Sequence, residues 1–349
     1  MSRAVETGVS KLRWALSAVA VAAILLLTVG AALAVIPDLP GQWQTRAPSG
    51  PERQEVSYVK SGGEFYLAGG VIPGSGRTNL HERYDPQTDS WERVAPLPAE
   101  LDHLQGVRLG GKIYYVGGLS GRDTHANTVY IYDPATDSFD NGTRMPAGRG
   151  RGAGGVVAYN GKIYYAGGKH NGKAVAWFDR YNPATGRWTE LPNMPRPRDH
   201  FQAAVVGGEF YAIGGRNTAV DAVTRKVDVY NLSGDGGSAW RTLDTALPTA
   251  RSGFATAVLD SNKILVIGGE GGGMAYNTVE AYNTDTNSWR RLEPIPTPRH
   301  GIQAVVCEGG VYVAAGGGAQ FGADPTNAHE VFFLRAPTSC GAAGTATSP

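Results

Sequence analysis

Six Gly-Gly pairs recur along the chain, at 69–70, 117–118, 167–168, 214–215, 268–269 and 316–317. Their successive spacings are 48, 50, 47, 54 and 48 residues. Each pair closes a short apolar segment: Phe65-Tyr66-Leu67, Ile113-Tyr114-Tyr115-Val116, Ile163-Tyr164-Tyr165, Phe210-Tyr211-Ala212-Ile213, Ile264-Leu265-Val266-Ile267 and Val311-Tyr312-Val313. An aromatic follows each pair, usually with Asp or Asn behind it: Tyr84-Asp85, Tyr132-Asp133, Tyr181-Asn182, Tyr230-Asn231, Tyr282-Asn283 and Phe332. A second aromatic then stands at Trp91, Phe139, Trp188, Trp240 or Trp289. Short strands broken by turn residues at a fixed period near 50 predict an all-β propeller built blade by blade. No helical periodicity of useful length appears after residue 40. Hydrophobic residues make up 42% of the chain and charged ones 18%, which excludes wholesale disorder.

These motifs resemble the kelch repeat, over roughly residues 41–337. The resemblance implies six four-stranded blades around a central channel. The sixth copy has no Trp after Phe332-Phe333, but Trp43 stands 26 residues before Gly69, as Trp91 stands 26 before Gly117. Residues 42–46 are therefore expected to supply the outer strand of the last blade and close the ring, removing an exposed edge. The expected organisation is an N-terminal segment 1–36, a linker 37–41, the propeller 42–337 and a tail 338–349.

The N-terminal segment reads as an address. Residues 1–13 carry Arg3, Lys11 and Arg13, and no charge occurs among the 23 positions from Trp14 to Ile36. That length suits a membrane-spanning helix with its basic flank in the cytoplasm and the propeller outside. Cleavage after Ala34 would instead release a secreted domain, because Ala32-Leu33-Ala34 fits a signal-peptidase site. In either case Cys307 and Cys340, the chain's two cysteines, are expected to pair in an oxidising compartment. The net charge is +1, and −1 without residues 1–36, so the basic surplus that nucleic-acid binding needs is missing.

In antiparallel blades the glycine-pair loops share one face with the links between blades, and variable loops on a rigid scaffold are the expected binding surface. Arg53, Leu101, Arg151, Arg198, Arg251 and Arg299 occupy equivalent positions where each blade begins. By resemblance to kelch propellers that bind acidic ligands, the five arginines are expected to ring the channel mouth as carboxylate forks. Pairing with Glu82, Asp228, Glu280 and Glu330 is the competing role. Four residues further on, Gln105, Gln202 and Gln303 alternate with Ser57, Gly155 and Ala255, as channel packing or a polar lining. His103 and His200 also fall near the mouth, each preceded by an aspartate. His300 lies one residue out of their register, so strand alternation turns it away and no three-histidine metal site is expected. No cofactor is expected either: no nucleophile motif or phosphate loop occurs, and no residues remain for the extra domain of the copper radical oxidases. Two functions stay open. One is an extracytoplasmic binding module for a protein or acidic glycan on the loop face; the other is an exported sugar mutarotase or epimerase of the kind that acts on sialic acid.

Overall fold

The computed structural model describes residues 40–234, 239–320 and 323–335. Six four-stranded antiparallel sheets are arranged as blades, with the first strand of each nearest the channel. These innermost strands are Ser57–Ser61, Gln105–Leu109, Gly155–Tyr159, Ala203–Val206, Ala255–Leu259 and Ala304–Cys307. We letter the strands a to d from the channel outward. In the third blade, Asn160 and Gly161 have φ of 45° and 69° between strand a and strand b, Lys162–Ala166. Two left-handed residues make a turn whose twist matches that of the strands it joins.

The ring closes as its spacing predicts. Gln42–Arg46 pairs antiparallel with His329–Phe333, placing Trp43 opposite Phe332. The repeated tryptophans also explain themselves. Trp43 donates its indole N–H to the Glu293 carbonyl (2.9 Å), Trp91 to Ala47 (2.8 Å) and Trp188 to Thr143 (2.9 Å). Each bond reaches back to the segment leaving the preceding blade, so the outer rim is stitched by a polar tip on a large apolar body.

The glycine pairs stitch the inner rim. Gly118 donates its N–H to the Arg151 carbonyl of the next blade (3.1 Å), and Gly70, Gly168, Gly215 and Gly269 make the equivalent bond. A Cβ on Gly117 would stand 2.1 Å from that Arg151 oxygen, and its φ is +66°, so both space and backbone demand glycine. One expectation needs correcting. In the sixth blade the structural pair is Ala315-Gly316, not Gly316-Gly317, because Gly316 bonds the Arg53 carbonyl (2.8 Å) and Ala315 takes the left-handed φ of 58°.

The loops after the pairs rise as a wall on one face. Four carry two-stranded ribbons, among them Val71–Ile72 with Gly76–Arg77 and Lys169–His170 with Lys173–Ala174. The expected N-terminal helix and tail lie outside the described residues. Among the described residues, no helix is long and apolar enough to cross a membrane.

Candidate functional site at the channel mouth

The five arginines do not face the channel. They precede strand a by four or five residues and are fully buried, each 0% exposed. Arg151 shows the pattern: it binds Asp179 of its own strand c (2.7 Å), the Gly167 carbonyl (2.7 Å) and the Tyr165 carbonyl (3.0 Å). Arg53, Arg198, Arg251 and Arg299 pair with Glu82, Asp228, Glu280 and Glu330 in the same way. Burial pulls Arg198 down to about 10, yet Asp228 keeps it charged at neutral pH. These guanidiniums are paired with an acid of their own blade and enclosed by it, so they present no surface to a ligand at the mouth.

Gln105, Gln202 and Gln303 also lie apart from the loop-face opening. They line a water-sized void of about 20 Å³ inside the channel. Gln303 accepts from the Ser57 hydroxyl (3.2 Å) and the Tyr58 N–H (3.0 Å) and donates to Gln105 (3.1 Å).

The mouth itself is built from the position two residues after the arginine. Glu55, His103, Ala153, His200, Gly253 and Gly301 form a backbone ring, one residue from each blade. His103 donates to the Glu55 carbonyl (3.0 Å), Ala153 to His103 (2.9 Å), His200 to Ala153 (2.7 Å), Gly253 to His200 (2.7 Å) and Gly301 to Gly253 (2.7 Å). Val56 donates to Gly301 (3.3 Å) and completes the circle. All six ring residues have left-handed φ: 57°, 54°, 58° and 51° for Glu55, His103, Ala153 and His200. Glycine adopts that conformation without strain, and two blades use it; keeping Glu and His there costs about 1 kcal/mol or more each, as strained functional positions often do.

Those three side chains converge. His103 Nε2 is 2.9 Å from His200 Nε2 and 3.1 Å from Glu55 Oε2. On the far side of each ring, Nδ1 meets a carboxylate: Asp102 at 2.7 Å for His103, and Asp199 for His200. Arg77 holds Asp102 (2.7 Å), and Arg216 holds both Asp199 and Glu270. Burial works to raise the Glu55 pKa, but His103, His200, His300 and Arg216 hold it down at about 2. Burial lowers His103, but Glu55 and Asp102 outweigh it and leave this ring raised. Burial and Arg216 together lower His200, with Asp199 pulling the other way. His300 turns aside as its register predicts, its Nδ1 on the Gly317 carbonyl (2.9 Å) and its Nε2 3.8 Å from Glu55.

Above this floor the loop wall encloses a cavity of about 410 Å³, edged by Arg77, Arg122, Lys169 and Arg216. A volume in that range suits a small molecule or one inserted side chain. Glu55 and Arg216 escaped sequence reasoning. Glu55 was visible in principle, two residues after Arg53 as His103 is two after Leu101, but only a tally by position rather than residue type finds it.

The family described as "KLHDC2/KLHL20/DRC7 Kelch-repeats domain" matches residues 41–215 and 143–318. Kelch-like protein terF of Aspergillus terreus (strain NIH 2624 / FGSC A1156) is 34% identical over 325 residues, covering 86% of this chain and 70% of that protein. Human Kelch-like protein 34 is 32% identical over 147 residues, 41% of this chain and only 22% of that protein. Among solved structures, "Structure of YjhT" superposes with a TM-score of 0.70 at 15% identity, covering 82% of this chain and 96% of that one. At that identity the likeness concerns the fold.

Proposed function

Because this chain belongs to the kelch-repeat family of β-propellers, we propose that it is a binding module whose loop-face cavity receives an acidic group, presented by a partner protein or an acidic glycan. Kelch propellers generally serve as protein-interaction modules. The observation that carries the acidic preference is the exposed Arg122 beside Lys169 at the rim of the cavity of about 410 Å³; Arg77 and Arg216, also on its edge, are already paired with Asp102, Asp199 and Glu270. Guanidinium and ammonium groups at a concave, water-restricted mouth favour carboxylates through charge-assisted hydrogen bonds. Arg122 is exposed at the rim.

The test is the melting temperature of the 349-residue chain with glucuronate or with a Glu-rich peptide. A ligand at 100 times its Kd adds about 2.7 kcal/mol, a rise on the order of 5 °C. The rise should vanish in Arg122→Ala/Lys169→Ala. No rise with either ligand, or a rise that survives the double variant, sinks the proposal. Whichever ligand acts separates sugar from peptide. The mutarotase reading keeps His103 and His200 at the cavity floor, and faster anomer interconversion of the bound sugar would select it.

The proposal includes a location outside the cytoplasm. Supporting it are the uncharged run Trp14 to Ile36 and a disulfide on Cys307; Cys340, its expected partner, lies outside the described residues. Chain isolated from its own cells and alkylated under denaturing conditions should label at Cys307 only after reduction. Labelling without reduction counts against export.

A further inference from the structure

The contact between His103 and His200 poses a problem in elementary chemistry. A carboxylate accepts hydrogen bonds and donates none, so Asp102 and Asp199 fix a proton on Nδ1 of each ring. In the neutral tautomer that leaves a lone pair on each Nε2. The two Nε2 atoms nonetheless face each other at 2.9 Å, with a Glu55 oxygen 3.1 Å from one of them. Three electron-rich atoms so close repel unless something positive lies among them.

We propose that Glu55, His103 and His200 form a binding site for one divalent transition-metal ion at the floor of the funnel. Their donor atoms all lie within 4.8 Å of one another. Imidazole nitrogens sit about 2.1 Å from such an ion, and neighbouring ligands at right angles are then about 3 Å apart. The 2.9 Å and 3.1 Å separations have that size. Two histidines and one carboxylate on one side of an ion also make the facial arrangement that leaves further positions open, and here they open towards the cavity edged by Arg77 and Arg216. Metal-bound histidines characteristically donate Nδ1–H to a carboxylate, which orients the ring and raises its basicity; Asp102 and Asp199 stand in that place. Arg77 and Arg216 in turn brace those two carboxylates. The backbone ring fixes the three donors from three different blades before any ion arrives. Two imidazoles and a single carboxylate suit zinc, iron, cobalt or nickel and disfavour magnesium or calcium.

His300, whose Nδ1 meets the Gly317 carbonyl (2.9 Å), is not one of the three donors. Blade 1 supplies the third donor as Glu55 instead. The inference does not depend on the acidic-ligand reading, because the ion is titrated alone.

The experiment titrates chelator-stripped 349-residue chain with Zn²⁺ and Co²⁺ at pH 7.5, by calorimetry and visible absorption. One equivalent should bind, and Mg²⁺ should not compete. Glu55→Gln, His103→Gln and His200→Gln should each weaken binding by at least tenfold, and Asp199→Asn by 10- to 100-fold. His300→Gln, outside the donor set, should weaken it less than any of the three ligand variants. His125 and His170, whose rings lie 4.1 Å apart on the loop face, are the control for adventitious binding. Failure to bind either ion overturns the proposal, leaving a shared proton to reconcile the two rings. Binding lost in His125→Gln/His170→Gln but kept in the three site variants overturns it too. Should those variants misfold, an anomalous-difference map of zinc-loaded wild-type crystals decides: a peak between the three donors supports the site, and a peak elsewhere or none refutes it.

Discussion

Leu101 and Tyr130 occupy in the second blade the places that arginine and an acid hold in the other five. Both are buried, so one blade has exchanged an enclosed ion pair for an enclosed apolar pair without losing its shape. Removing two charges from water costs about as much as their attraction returns, which makes such an exchange close to neutral. Removing one partner is different, because the other charge is left buried alone. Arg251→Leu should therefore cost about 3–5 kcal/mol, because Glu280 has no second cation beside it among the described ion pairs, whereas Arg251→Leu with Glu280→Tyr should recover most of it. Urea unfolding of both variants checks this. Equal destabilisation in the two would mean that the arginine holds the blade in a way no apolar pair can replace.

Neighbouring strands meet across blade boundaries through two histidines at the start of strand c. His81 bonds the Ala95 carbonyl (2.9 Å) and the Tyr115 hydroxyl (2.9 Å) of the second blade. His329 sits against Tyr58, Tyr84 and Trp91 of the first blade, with the Tyr58 hydroxyl at 3.1 Å. Burial lowers both, His81 to about 4 and His329 to about 3, against an ordinary 6.5. The unfolded chain then binds protons that the folded chain refuses, so stability is full above pH 6.5 and falls as pH drops towards 4 and 3. For His81 the loss is on the order of 3 kcal/mol. Carboxylates held low, such as Asp199, begin to lose their contribution only as pH falls through the ordinary carboxylate range near 4, so a fall between pH 7.5 and pH 5 does not come from them. Denaturant unfolding at pH 7.5 and pH 5 should show the fall, and His81→Gln/His329→Gln should flatten it. A slope unchanged in the double variant would assign it to other groups.

Closure belongs to the whole molecule. Gln42–Arg46 is the one strand donated from the far end of the chain, and Trp43 packs on Phe332 with ring centroids 5.2 Å apart. Without it the strand His329–Phe333 becomes an open apolar edge, a template for aggregation. Trp43→Ala should cost about 3 kcal/mol, the low end for a large aromatic because the ring is half-buried. Deleting residues 1–46 should go further and broaden the unfolding transition or drive association. A truncated chain that stays monomeric and melts as sharply as the intact one would show that closure adds nothing.

The fold was legible in sequence because its signals are local and repeated. A glycine pair that must admit the next blade's carbonyl, a tryptophan that must reach back, and strand-length apolar runs each recur six times or nearly so. Repetition made even the displaced closing strand countable, through the 26-residue interval before Gly69. Function lacks that redundancy. Glu55, His103 and His200 are single, dissimilar residues nearly 50 or 100 positions apart. Only the ring's left-handed backbone brings their tips together. The arginines leave two roles open in sequence for the same reason: five copies announce a role, but which way a side chain turns four or five residues before a strand depends on the tertiary structure. There the Gly117 space that receives a carbonyl, and the strand-c acid that receives a guanidinium, turn the arginines inward and leave the mouth to residues that do not repeat.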